Sequence, residues 1–341
     1  MSEVKTQRET ILAIKDLVVE YEVKDDNNVR AVDHVSLDLK RGEVLGLVGE
    51  SGCGKSTLGF SLIGLLKGGS IKSGEVLLDG EKISNLMRQE YKKIRGPEIS
   101  AIFQASQNVL NPTQKVINHF IDTYKAHGEW NKDRMEDIKQ ILNRLDISPS
   151  RLDDYPFQFS GGMQQRIVIA LSLILNPKLL IADEPTTALD VLVQAKILKL
   201  LRELKEELDL TMILISHDLG VVAENSSRVA IMYAGQIVEL ASAKSIFKNP
   251  KHPYTEALIE AIPDVKDFEK KQQKSIPGSP PDLKNPPSGC RFANRCKYAL
   301  PICKETAVDL IVLGEENGVE RKTRCLKYYD EYQSEFKEVA K

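Results

Sequence analysis

Apolar and polar positions alternate at residues 17–21 (Leu-Val-Val-Glu-Tyr), 35–39 (Val-Ser-Leu-Asp-Leu) and 75–79 (Glu-Val-Leu-Leu-Asp). A period of two places one face of each segment in a core and the other in water, which predicts half-buried antiparallel strands forming one layer. Continuous apolar runs follow at residues 44–48, 179–182 and 212–215, each ending in polar or glycine residues before a helical pattern. Such runs suit strands covered on both faces, so they predict a parallel sheet whose ligand edge lies at the strand carboxyl ends. Between them, residues 117–124, 135–145 and the stretch after Ser160 carry helical spacing, predicting a helical insertion. Residues 232–238 read as a hairpin turning on Ala234-Gly235, and helical patterns close this part of the chain near Ile262.

From residue 264 the chain is highly charged, and 276–281 with Pro286-Pro287 is too proline-rich for a helix or a central strand. The expected organisation is a main domain over 1–262 with a helical subdomain at about 105–175, a proline-rich linker over 263–289 and a terminal module over 290–341. A content of 42% hydrophobic and 28% charged residues is that of an ordinary globular protein. The formal net charge of -2 supplies no basic field for nucleic acid. The first eleven residues lack a signal-peptide stretch, and no run approaches the roughly 18 apolar residues of a spanning helix. A cytoplasmic chain is expected, with any membrane role reached through a partner. No internal repeat is evident, so one such unit is expected per chain.

Chemistry enters with Gly49-Glu50-Ser51-Gly52-Cys53-Gly54-Lys55-Ser56-Thr57, which fits glycine, four residues, then Gly-Lys-Ser, between a buried strand and a helix. Glycines let backbone N–H groups converge on phosphate oxygens at a helix N-terminus. Lys55 would neutralise the outer phosphates and the Ser56 hydroxyl would ligate magnesium. The nucleotide-binding candidates are Gly49, Ser51, Gly52, Cys53, Gly54, Lys55, Ser56 and Thr57, with no chemistry assigned to the Cys53 thiol because its position in such loops is variable. Downstream, residues 179–184 end a buried run in Asp183-Glu184. Asp183 could hold magnesium, directly or through water, while Glu184 activates a water. An acidic pair at a strand end is common, and the phosphate loop is what gives this one a hydrolytic meaning.

Phe159-Ser160-Gly161-Gly162-Met163-Gln164-Gln165-Arg166 resembles the signature motif of ABC-transporter nucleotide-binding domains and precedes the acidic pair, as it does there. Ser160, Gly161 and Gly162 would open a helix whose donors and dipole favour a phosphate. The resemblance implies that this phosphate belongs to ATP bound mainly by another subunit. The family usually has Gln at the position of Met163 and often Leu at that of Phe159, whereas the phosphate-facing Ser and Gly residues are retained. By the same resemblance, Gln104 matches the glutamine that joins nucleotide, magnesium and membrane partner. Asp190 matches the loop that crosses a dimer interface, and His217 matches the switch histidine that contacts the terminal phosphate and steadies the attacking water. Tyr21 occupies the place of the aromatic that stacks on adenine, although packing in the strand layer suits it equally.

Within that superfamily, residues 49–52, 182–191 and His252-Pro253-Tyr254-Thr255 are similar to ATP-binding subunits of oligopeptide or dipeptide importers, over residues 10–328. The implied fold is an α/β ABC-type P-loop ATPase with a parallel core sheet, an antiparallel β subdomain, a helical subdomain and a small cysteine-containing extension. Four of five cysteines cluster as Cys290, Cys296, Cys303 and Cys325. In a reducing compartment such a cluster suggests a metal before disulfides, and four thiolates suit zinc or an iron–sulfur cluster. Residues 289–296 resemble the terminal segment of peptide-importer subunits, some of which carry a 4Fe–4S cluster, and the resemblance implies that cluster here.

One phosphate loop and one signature motif cannot complete a composite site alone, so two such subunits are expected to close head-to-tail around two ATP molecules. The implied cofactors are ATP, Mg2+ and the 4Fe–4S cluster. The implied partners are two transmembrane permease subunits, a second ATPase subunit (a paralogue, or a copy of this chain) and, indirectly, an extracytoplasmic solute-binding protein, at the cytoplasmic face of a membrane and without nucleic acid. Other readings are the same role for nickel or oligosaccharides, a non-transport ABC ATPase, and a nucleotide-dependent redox sensor. The second usually carries long coiled-coil insertions or two ATPase units, and neither is evident.

Overall fold

The computed structural model describes residues 9–22, 28–104, 109–187, 189–262, 276–316 and 318–339. Among the described residues, twelve strands run in chain order as β1 (Thr10–Tyr21), β2 (Val29–Lys40), β3 (Val44–Val48), β4 (Gly69–Leu78), β5 (Glu81–Lys82), β6 (Ile99–Ile102), β7 (Leu179–Asp183), β8 (Thr211–Ser216), β9 (Arg228–Tyr233), β10 (Gln236–Ser242), β11 (Ile311–Glu316) and β12 (Val319–Thr323). The chain divides into two compact units, one holding the described residues of Met1–Glu9, Lys40–Glu43 and Asn85–Leu214, the other those of Thr10–Leu39, Val44–Ser84 and Ile215–Lys341.

The second unit carries the alternating strands in a sheet of order β2-β1-β4-β5. β1 and β4 pair antiparallel from Leu12–Leu78 to Tyr21–Gly69, with register shifts around Val18. Leu12, Leu17, Val19, Val35 and Leu39 are fully buried, which is why the alternation was visible in the sequence. A second group of strands in this unit has the order β3-β9-β10-β12-β11. β3 and β9 are parallel, but β9–β10, β10–β12 and β11–β12 are antiparallel, so the sheet expected to be parallel is mixed. The β9–β10 hairpin turns on Ala234 (φ 46°) and Gly235 (φ 87°), as the dipeptide predicts. β11 and β12 form a hairpin that the sequence pattern did not disclose; β12 joins β10 through Glu239–Thr323 and Leu240–Lys322.

The first unit holds the start of β8 beside β7 and β6, the last two parallel from Ile99–Leu179 to Ile102–Ala182. Helices Val116–Ala126, Arg134–Arg144 and Gly161–Leu173 fill the predicted helical stretch. Phe120, Tyr124, Ile138, Leu142 and Ile167 form their buried stripe at helical spacing.

Candidate functional site

The phosphate loop joins β3, buried along its whole length, to helix Lys55–Leu62 in the second unit. Gly54 caps this helix at φ 106°, and a Cβ there would lie 2.1 Å from the Ala31 carbonyl oxygen. A Cβ on Gly49 would lie 2.0 Å from the Met232 carbonyl oxygen. Both positions therefore exclude any side chain, and the loop's shape is written into its glycines. Lys55 is buried and its ammonium donates to the carbonyls of Gly49 (2.8 Å) and Glu50 (2.9 Å) and to Cys53 Sγ (3.7 Å). Burial raises the Cys53 thiol above its ordinary pKa against the pull of Lys55, which keeps it neutral. Ser56 and Thr57 stand in the first helical turn, and Thr57 Oγ1 lies 3.4 Å from the Tyr21 hydroxyl. The Tyr21 ring covers Gly69, where a Cβ would approach it to 2.8 Å. Its phenol thus reaches the helix that bears Lys55.

In the first unit, β7 ends on buried Asp183 and passes into Glu184 at φ 46°. A left-handed glutamate costs on the order of 1–3 kcal/mol and persists only where its surroundings fix it. Those surroundings are the Gln104 side-chain amide, which donates to Glu184 Oε2 at 2.9 Å, and the Thr187 hydroxyl, which donates to the same oxygen at 2.8 Å. Two neutral donors on one oxygen fix the direction in which the carboxylate points. Gln104 is exposed just beyond β6. Asp190 caps helix Val191–Glu207 by accepting from the Val193 backbone N–H at 3.0 Å. His217, exposed, follows β8 in the second unit.

The signature segment opens helix Gly161–Leu173, with Ser160 as N-cap accepting from the Met163 backbone N–H. Gly161 and Gly162 occupy the first turn, and a Cβ on Gly162 would meet Val193 Cγ1 at 2.7 Å. The two departures from the usual motif share a partner. Arg151 lies over the Phe159 ring at 4.0 Å and donates to Met163 Sδ at 3.6 Å, while Asp154 (2.8 Å) and the Gln158 carbonyl (3.0 Å) fix its guanidinium. Sequence reading missed Arg151, Thr187 and Tyr254, whose hydroxyl accepts from the Glu50 backbone N–H at 2.9 Å. Thr187 and Tyr254 stood within motifs that had been singled out, without a role of their own, and Arg151 did not.

The expected metal cluster, whether 4Fe–4S or zinc, is not met. Among the described residues no group of three or more His, Cys, Asp or Glu side chains is placed to hold a metal ion, and all the cysteines are free. Cys290, Cys296, Cys303 and Cys325 line one cavity of about 20 Å³ together with Phe292 and Phe336. Cys303 belongs to the module's apolar core with Ala293, Val308, Leu326 and Phe336, and Cys290 packs against it. Burial pushes the Cys296 thiol up to about 11 and the Cys325 thiol up to about 12, where each packs as a small hydrophobe. The module's polar anchors are arginines: Arg291 pairs with buried Asp33, and Arg295 holds both Glu50 carboxylate oxygens at 2.7 and 2.9 Å.

A family model described as ABC transporter matches residues 32–187, and one described as the oligopeptide/dipeptide transporter C-terminal region matches residues 238–303. The dipeptide transport ATP-binding protein DppD of Caldanaerobacter subterraneus is 46% identical over 313 residues, covering 91% of this chain and 95% of its own. The oligopeptide transport ATP-binding protein OppD of Escherichia coli is 42% identical over 300 residues, covering 87% and 88%. The ABC transporter cassette MJ0796, solved as a dimer, matches with a TM-score of 0.60 and 30% identity over 68% of this chain and 99% of its own.

Proposed function

The chain belongs to the ATP-binding proteins of the oligopeptide and dipeptide ABC transporters, and from that premise we propose that it powers the uptake of di- or oligopeptides by closing and reopening as half of an ATPase dimer. The observation that carries the hydrolytic part is the Glu184 carboxylate, fixed by Gln104 and Thr187 at the end of β7. Peptide as cargo rests on what the similar dipeptide and oligopeptide transport proteins carry by name and on the match to the C-terminal region.

ATP is the substrate. The backbone N–H groups of the phosphate loop receive its phosphates at the N-terminus of helix Lys55–Leu62, and Lys55 leaves its own loop carbonyls to take up the outer ones. Hard oxygen donors suit magnesium, and Ser56, Asp183 and Gln104 are the residues that would hold it, where it supplies neutralisation of the phosphate charge. Glu184 takes the proton of the attacking water, and His217 steadies that water against the terminal phosphate. Ser160, Gly161 and Gly162 offer a capped helix start to a nucleotide held by the second subunit, in keeping with a related cassette solved as a dimer. Asp190 serves that subunit boundary.

Among the described residues no helix is long and apolar enough to cross a membrane. In this reading the chain acts at the cytoplasmic face through two permease subunits, with Gln104 relaying the nucleotide state, beside a paralogous ATPase or a second copy and with an external solute-binding protein delivering the cargo. The test is uptake of labelled di- and oligopeptides, and separately of nickel, by cells in which Lys55→Ala replaces the wild-type chain. Loss of peptide uptake alone is expected. Loss of nickel uptake with peptide uptake intact would overturn the cargo.

A further inference from the structure

The phosphate loop carries an acidic side chain where it receives an anion. Glu50 is the second residue of the loop, its backbone carbonyl touches Lys55 Nζ, and its carboxylate would repel a triphosphate in that loop. The structure cancels this charge from outside the loop. Arg295, from the turn between Cys290 and Cys296, makes a two-pronged ion pair with Glu50, Nη1 to Oε2 at 2.7 Å and Nη2 to Oε1 at 2.9 Å. The Arg295 side chain is only 5% exposed and that of Glu50 24%. The remaining guanidinium contacts are fixed as well: Nε donates to the Pro277 carbonyl at 2.8 Å, Nη2 to that of Ile276 at 3.3 Å and Nη1 to the Tyr233 hydroxyl at 3.2 Å. The rings of Tyr233 and Phe292 lie 5.8 and 5.9 Å from its centre. A fork so completely held loses little freedom in gripping a carboxylate.

We propose that Arg295 is a positioning residue for ATP, acting through Glu50: it neutralises the one carboxylate of the phosphate loop and turns it away from the incoming phosphates. The C-terminal module thereby becomes part of the nucleotide site without touching nucleotide. This rests on the reading of the loop as an ATP site. Arg291, in the same cysteine segment, likewise reaches out of it to an acidic partner, Asp33.

The inference makes an asymmetric prediction, because only the loss of Arg295 leaves an uncompensated negative charge. The measurement is the equilibrium dissociation constant of ATP for the full-length chain, with thermal melting of each variant. Wild-type chain that binds no ATP would remove the reading of the site itself. Given wild-type binding, Arg295→Gln is expected to weaken ATP by roughly tenfold, the order expected for a unit charge near a protein surface. Glu50→Gln is expected to leave affinity unchanged or tighter, and the double variant Glu50→Gln/Arg295→Gln is expected to recover most of the loss. If Glu50→Gln weakens ATP as much as Arg295→Gln, or the double variant is no better than Arg295→Gln, the contact is only a brace and the proposal fails. Should Arg295→Gln fail to fold, Arg295→Lys, which keeps the charge without the fork, and Glu50→Gln decide alone. Affinity within about threefold of wild type in both supports charge compensation, and a larger loss in either overturns it.

Discussion

The phosphate loop and the cysteine module, both in the second unit, were each read from a spacing of residues, and one spacing meant far more than the other. In the loop, the pattern dictates backbone geometry: glycines at 49 and 54 stand where a Cβ would strike a carbonyl oxygen at 2.0 and 2.1 Å, so no other residue fits. In the module, four cysteines dictate no geometry at all. They are small, apolar when protonated, and equally at home in a core, and there they pack with Leu326 and Phe336 around a cavity of about 20 Å³. A motif whose residue types are forced by sterics is evidence about chemistry. A motif of versatile residues is evidence about composition until the folded positions are known.

The strongest way to test the forced motifs is Glu184→Gln. The amide keeps the size and can still meet Gln104 and Thr187, but it cannot take a proton, so turnover is expected to fall by roughly 10²–10⁴-fold with ATP binding retained. Steady-state phosphate release alongside nucleotide binding separates the two. Unchanged turnover would show that the acidic pair is no better a guide than the cysteines were.

For the module, the corresponding test is Cys303→Ser. If Cys303 acts as a core hydrophobe, a hydroxyl in its place is buried among Ala293, Val308 and Leu326 and costs about 2 kcal/mol, while Cys303→Ala costs less despite removing the whole sulfur. Chemical denaturation of the two variants ranks them, and serine proving the milder change would contradict the apolar reading.

Legibility follows the same division. The half-buried strands β1, β2 and β4, the buried runs β3, β7 and β8 and the hairpin at Ala234-Gly235 were visible because period and turn chemistry act locally. The extension of the sheet by β12 and β11 was not, since β12 meets β10 across more than eighty residues and its own segment, Val-Glu-Arg-Lys-Thr, is mostly polar. Glu50 lay within the motif and Arg295 between two noted cysteines, yet nothing in either segment says that they meet.

His252 sits where the module and β10 come together, so its titration reports on both. Its backbone N–H donates to buried Glu239, its Nδ1 accepts from the Tyr254 backbone N–H, and its ring faces Phe292 at 6.0 Å. Burial lowers its pKa to about 3 against the opposing hydrogen bond to the Arg324 backbone, so the ring is neutral in the folded protein. The unfolded chain binds a proton below about pH 6.5, hence this contribution to stability is complete above 6.5 and is lost as pH falls toward 3. Between pH 6.5 and 5 the loss is expected to reach about 1.5–2 kcal/mol. His252→Asn, which can still cap the helix, should flatten that slope, and taking the difference between the two proteins cancels buried Glu239. Parallel slopes for both would mean that the ring is not buried as described.

The smallest effect concerns the signature segment, which is forced at some positions and versatile at others. Ser160, Gly161 and Gly162 have the geometry of a capped helix start, whereas Phe159 and Met163 depart from the usual residues and are held by Arg151 through ring and sulfur. If these two substitutions are a repacking around one arginine, Arg151→Ala should cost about 1 kcal/mol of stability through the lost cation–π contact and packing. ATP affinity in the phosphate loop of the same chain should be unaffected, because that loop lies in the other unit. Restoring the usual residues with Phe159→Leu/Met163→Gln should then make Arg151→Ala nearly neutral, since the arginine would have lost both of the partners that distinguish this segment. A cost that stays the same in that background would mean that Arg151 works through Asp154 and the Gln158 carbonyl alone, and that the two departures are independent of it.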